Sequence, residues 1–136
     1  MTRLAGSNDV ARRDAMKEAL RANLYRAKEG FAALRRSFPE TTFIAPWIAA
    51  VLSGADDRDP AQRDAGLVDD CAVVERCDGI VLWGARLSDG MRREMEHGVR
   101  ARHGFEVFDL TGDRGHLDAQ GLTFQQWYAG VVSVQR

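Results

Sequence analysis

The chain has 136 residues, 45% of them hydrophobic and 29% charged, with 19 basic and 20 acidic side chains and a formal net charge of −1. That length suits one domain with one core, and the balanced charge lacks the basic footprint of a duplex nucleic-acid binder. With no apolar run of 18 residues and no basic-then-apolar leader, the sequence predicts a single cytoplasmic domain over residues 1–136, with no membrane span and no nucleic-acid partner.

In chain order, residues 2–5 are expected to form a short first strand, followed by a turn at Gly6. Ser7, Asn8 and Asp9 then offer helix N-caps. Met16, Leu20, Leu24, Ala27, Phe31 and Leu34 recur every three or four residues and share one helical face. Gly30 interrupts that helix at a cost of roughly 1 kcal/mol relative to alanine, and Pro39 ends it. Residues 41–45 read as a second strand closed by Pro46, residues 48–52 as a brief helix, and residues 56–59 as a solvated acidic loop. A helix is expected over residues 60–76. Residues 79–83 are almost uniformly apolar, as a strand buried on both faces requires. Helix over 90–102, strand over 105–109 and a last helix around 124–132 complete the chain.

Strand and helix alternate throughout, which predicts an α/β fold with right-handed crossovers and a parallel sheet covered on both faces. Ligands of such sheets bind beyond the carboxyl ends of the strands. That rule selects Gly6, Ser7 and Asn8, then Pro46 and Trp47, then residues 83–90, and the residues after Asp109.

On the helix after Gly90, Glu94 lies three residues after Met91 and four before Gly98, beside the inward stripe formed with Met95 and Val99. It also falls in the first turns of its helix, where the dipole favours a carboxylate. A surface glutamate supporting the helix start is the plainer reading. Asp70 lies three residues after Leu67 and four before Val74, on the apolar flank of its own helix, with Arg63 on a similar face; a surface ion pair is its plain alternative. Two carboxylates facing one cleft can divide into nucleophile and acid/base. Ser88 and Gly90, in the turn before the helix of Glu94, can hold a phosphate or ribose oxygen or serve as N-cap and turn glycine. Trp47 and Trp83 fall near strand ends, available to stack on a base or to fill the core, and Tyr25 reads as a polar-tipped core residue. Cys71 and Cys77 match no redox or zinc spacing and read as core thiols. His97, His103 and His116 have no metal-ligand spacing.

Together these segments resemble the nucleoside 2-deoxyribosyltransferase and nucleotide N-glycosidase superfamily over roughly residues 3–110. Asp70-Cys-Ala-Val-Val-Glu-Arg-Cys-Asp78-Gly-Ile-Val-Leu-Trp83 is similar to that family's helix-to-strand segment. Ser88-Asp-Gly90-Met-Arg-Arg-Glu94 matches its Ser-x-Gly-x-x-x-Glu segment, with Gly98 at the small-residue position that follows. Ala5-Gly6-Ser7 resembles the first glycine turn, and Ala45-Pro46-Trp47 the segment after the second strand. In place of the aromatic that often follows that glycine turn stand Asn8 and Asp9. The resemblance implies a Rossmann-like three-layer domain with a mostly parallel sheet of about four or five strands, a homodimer or larger assembly, and no metal or organic cofactor. It implies cleavage or transfer of the N-glycosidic bond of a nucleoside or nucleoside 5′-monophosphate. In that chemistry Glu94 is the nucleophile, Asp70 a proton-handling or sugar-orienting carboxylate, and Ser88 a phosphate or sugar contact, while Gly90, Gly6, Ser7, Trp47 and Trp83 surround the substrate. The alternative is a non-catalytic nucleotide-binding module of the same fold, acting as a sensor or partner protein.

Overall fold

The computed structural model describes residues 2–56, 58–112 and 118–134. Five helices and two strands follow in the order α1 (Thr2–Ser37), α2 (Pro46–Leu52), α3 (Pro60–Val74), β1 (Gly79–Gly84), α4 (Asp89–Ala101), β2 (Glu106–Thr111) and α5 (Phe124–Val134). The fold is therefore mixed α/β, and β1 pairs in parallel with β2, Gly79 opposite Glu106 through Gly84 opposite Thr111. Backbone bonds from Glu106 N–H to Asp78 O and from Gly112 N–H to Gly84 O close the ladder at its two ends. None of the helices described is long and apolar enough to cross a membrane.

Two expected strands are not strands. Residues 2–5 belong to α1, and Gly6 and Ser7 follow inside the same helix rather than in a turn. A helix satisfies its own backbone, whereas a strand needs a neighbour, and among the described residues none pairs with this end of the chain. Residues 42–45 run without helix or ladder pairing. Pro39 and Pro46 bracket that short stretch and lack N–H donors, and Phe43 turns its ring edge-on to Phe124, centroids 5.3 Å apart. Among the described residues the sheet thus has two strands. The expected four or five, with residues 79–83 central, are not formed.

Side chains alternate across the pair. Val81, Trp83, Phe108 and Leu110 face α1 and α5, where Leu34, Phe38, Phe124 and Trp127 complete an aromatic core. Phe38 and Phe124 are fully buried and meet edge-on at 5.3 Å; Phe108 approaches Phe124 at 4.7 Å. Leu82 is buried on the opposite face, toward α4. The N-terminus of α5 is held by a reciprocal cap, Gln126 N–H to Thr123 Oγ1 and Thr123 N–H to Gln126 Oε1. Glu40 accepts a further bond from Phe124 N–H. Bonds to β1 leave from Glu106 and Gly112, so the N–H groups of Asp109 and Thr111 point outward. Tyr128 Oη accepts the first at 3.0 Å and the Asp109 carboxylate accepts the second at 2.9 Å, covering the open edge of β2.

Gly30 has a structural reason. A Cβ there would sit 2.4 Å from Trp83 Cε2, so the glycine lets the indole lie directly on α1. The predicted face of α1 is covered only from Leu20 onward. Met16 and Val10 are exposed, and Tyr25, expected in the core, is 63% exposed.

Candidate functional site

The helix α4 starts as its sequence dictates. Ser88 is the N-cap, its Oγ accepting the Met91 N–H at 3.2 Å, while Met91 Sδ accepts the Ser88 N–H. Asp89 and Arg93 pair one turn apart in solvent, and Arg92, Arg93 and Glu96 are exposed as expected. Gly98 then allows close packing, because a Cβ there would meet Phe105 Cζ at 2.4 Å. Val99, expected on the inward stripe, is 55% exposed.

Helix α3 begins at Asp59, whose carboxylate accepts Ala61 N–H ahead of Pro60 at the first position. It packs along α4. His97 and Glu75 join the two helices at 2.6 Å, and Arg102 ties the end of α4 to Cys77 O and to the Asp78 carboxylate, both at 3.0 Å.

That packing brings Glu94 and Asp70 together. Both are half-buried, and their carboxyl groups share a hydrogen bond. Burial first, then that hydrogen bond, then the charge of Asp70 push the Glu94 carboxyl up from 4.5 to about 7. Two carboxylates in contact cannot both ionise cheaply, so the pair keeps one proton between them until the pH rises through about 7, and it titrates as a unit. The arrangement contains a proton donor and an ionised oxygen within one hydrogen bond, which is the equipment of general acid/base or nucleophilic chemistry.

Cys71 is the residue that spacing did not mark for this site. Burial raises its thiol, and the charges of Glu94, Asp70 and Glu75 raise it further. The group is thus a neutral thiol beside the carboxyl pair. Cys77 is a second half-buried free thiol, donating to Val73 O. The signal for Cys71 was its place on the apolar pattern of α3 four residues after Leu67, which turns it toward the packed neighbour α4.

The other candidates fare differently. Ser88 is exposed and its oxygen already accepts the capping bond, so the plainer N-cap reading describes it. Gly90 follows in the first turn with open space around it. Trp83 is packed on Gly30 and against the core, which removes it from the substrate-facing set. Gly6 and Ser7 are helical, so no glycine turn exists to hold a ligand; their side chains lie outside the described residues. His116 also lies outside them. Trp47 lines a cavity of about 290 Å³ between α1 and α2. A second, of about 380 Å³, lies between Ile44 and α3. Neither is lined by Glu94, Asp70 or Ser88. Among the described residues no cluster of histidine, cysteine and carboxylate side chains could hold a metal ion.

No curated protein and no solved structure matches the chain. A family profile described as a domain of unknown function, DUF7768, matches residues 15–108, which takes in α2, α3, β1, α4 and both carboxyl groups of the pair, and the chain belongs to that family.

Proposed function

We propose that the protein cleaves or transfers the N-glycosidic bond of a nucleoside or nucleoside 5′-monophosphate, with Glu94 and Asp70 as the reacting pair. The observation that carries this reading is their shared hydrogen bond on adjoining helices. In the reactive form the proton moves across that bond from Glu94 to Asp70. The freed Glu94 oxygen bonds to the anomeric carbon as the carbon–nitrogen bond breaks, and the departing base takes the proton from Asp70. Water, or a second base, then attacks the same carbon and returns its proton to Asp70, releasing Glu94 as carboxylate.

Contact between the two groups supports the covalent route over direct hydrolysis. Inverting glycosidases hold their carboxyls about 6.5–9.5 Å apart to admit a water between them and retaining ones about 5–5.5 Å; a hydrogen-bonded pair is closer than both and nearer the second. The pair uses no metal or organic cofactor in this scheme. The reading includes a cytoplasmic homodimer or larger assembly, in which a second subunit covers the exposed Val10–Met16 end of α1; sedimentation at micromolar concentration measures that.

The test is direct. The protein is incubated with a panel of nucleosides and their 5′-monophosphates, and free base is followed by chromatography, with Glu94→Gln and Asp70→Asn alongside. Base release by wild type, abolished in Glu94→Gln and reduced about 10²–10⁴-fold in Asp70→Asn, is expected. Undiminished release by Glu94→Gln, or none from any member of the panel, overturns the reading.

A further inference from the structure

One concavity among the described residues lies away from the carboxyl pair. It lies between α1 and α2, lined by Lys17, Leu20 and Arg21 of α1, Trp47 of α2, and Asp56 and Arg58 of the loop after α2. Its charges are unevenly matched. Asp56 Oδ1 accepts from both Arg58 Nε and Arg58 N–H at 3.0 Å, and this pairing lowers the Asp56 carboxyl below its usual range. Arg58 and Asp56 therefore cancel one another. Lys17 and Arg21, one helical turn apart, have no ion-pair partner among the described residues. They belong to a helix with nine basic and four acidic residues in a chain whose net charge is −1. Two cations on one wall of a cavity, unpaired among the described residues, favour an anion there.

The opposite wall supplies a different chemistry. Trp47 is half-buried, with its indole on the cavity, whereas Trp83 and Trp127 are engaged in the core. A planar ring can stack on an indole face, and Leu20 adds an apolar wall beside it. The volume, about 290 Å³, sits at the small end of ligand pockets. That volume is of the order of one ring system with one charged group, and the concavity is open to solvent on one side.

We propose that this cavity is a binding site for a small aromatic phosphomonoester, the ring stacked on Trp47 and the phosphate held by Lys17 and Arg21. The site shares no lining residue with Glu94 and Asp70. It is independent of the glycosidic reading, and is tested without turnover.

Adenosine 5′-monophosphate serves as the probe, with adenosine and inorganic phosphate as the two partial ligands. Binding is followed by tryptophan fluorescence and by calorimetry. The monophosphate is expected to quench saturably and to bind more tightly than either partial ligand. Lys17→Ala with Arg21→Ala should weaken it by about tenfold or more, as loss of hydrogen bonds to a charged group does. The same pair should leave adenosine unaffected. Trp47→Leu should remove the quench and weaken the calorimetric binding. Lys17 and Arg21 are exposed and Trp47 is half-buried, and circular dichroism checks that each variant is folded. Absence of saturable binding up to millimolar monophosphate overturns the proposal. So does binding that the double variant leaves intact, or phosphate binding as tightly as the monophosphate.

Discussion

The carboxyl group of Glu94, in the second turn of α4, is hydrogen-bonded to that of Asp70, near the end of α3. Neither residue is close to the other in sequence. The contact exists because α3 and α4 run side by side, fastened at one end by the His97–Glu75 bond and by Arg102 on Cys77 and Asp78. Two acids meeting in a half-buried seam cost stability when both are ionised, and a fold built for stability alone gains nothing from the pair.

That cost is measurable as a pH dependence. The folded Glu94 carboxyl titrates near 7, against 4.5 for the free group, so the folded state holds a proton that the unfolded chain releases. The contribution of Glu94 is complete below about pH 4.5, declines from there as pH rises, and is gone above 7. Across that window it amounts to at most about 3 kcal/mol. Urea midpoints taken at pH 5 and pH 8 should fall for wild type and change much less for Glu94→Gln.

The proposed reaction has the same slope. The pair needs its one proton, which passes from Glu94 to Asp70 and then to the departing base, so base release should be level below about pH 7 and fall as pH rises through it. A rate that climbs through the same range would mean that Asp70 supplies no proton to the base.

Ser88→Ala separates cap from substrate contact. The hydroxyl oxygen accepts the Met91 N–H, and losing such a cap costs about 1 kcal/mol. The expected outcome is a lower urea midpoint with little change in KM for a nucleoside substrate. A KM rise of tenfold or more at unchanged stability would instead make Ser88 a substrate contact.

Much of this was legible in sequence where the signal is local. The apolar run of β1, the Ser88 cap and the proline start of α3 each fix one element through short-range chemistry. Glu94 and Asp70 were legible too, because carboxylates on the flank of an apolar stripe must point toward a packed neighbour. Strands were less legible, since residues 2–5 and 42–45 can be judged only against a partner strand, and none forms. Nor did spacing reveal that Phe124 and Trp127 cap the core, or that Trp83 is spent against Gly30. Those contacts join residues far apart along the chain.

Tyr128→Phe tests the cover on the edge of β2. The phenol oxygen accepts the outward N–H of Asp109 at 3.0 Å, while the ring lies edge-on to Phe108 at 5.1 Å. Phenylalanine keeps the ring and leaves the N–H unpaired in a partly buried place, at a cost of about 1–3 kcal/mol. Faster amide exchange at Asp109, read by mass spectrometry or nuclear magnetic resonance, should accompany the lower midpoint. An unchanged Asp109 amide would show that water replaces the bond.

Gly30→Ala sets two effects against each other. In a helix interior alanine is better than glycine by about 1 kcal/mol, so on α1 alone the change stabilises. The new Cβ, however, would stand 2.4 Å from Cε2 and 2.5 Å from Nε1 of Trp83. An indole is rigid and cannot fold its tip away, so either the ring leaves its place beside Val81 and Leu110 or α1 moves off the sheet. Overpacking of this kind costs about 1–3 kcal/mol, and because α1 holds Leu34 and Phe38 in the same core, the displacement reaches the aromatic cluster. The clash wins, and Gly30→Ala should lower the urea midpoint and shift tryptophan emission as the indole is displaced. Trp83→Leu added to it should recover part of the loss, since the smaller side chain makes room for the methyl group. Equal destabilisation by the single and the double variant would mean that the close approach of Trp83 to α1 is not what requires glycine.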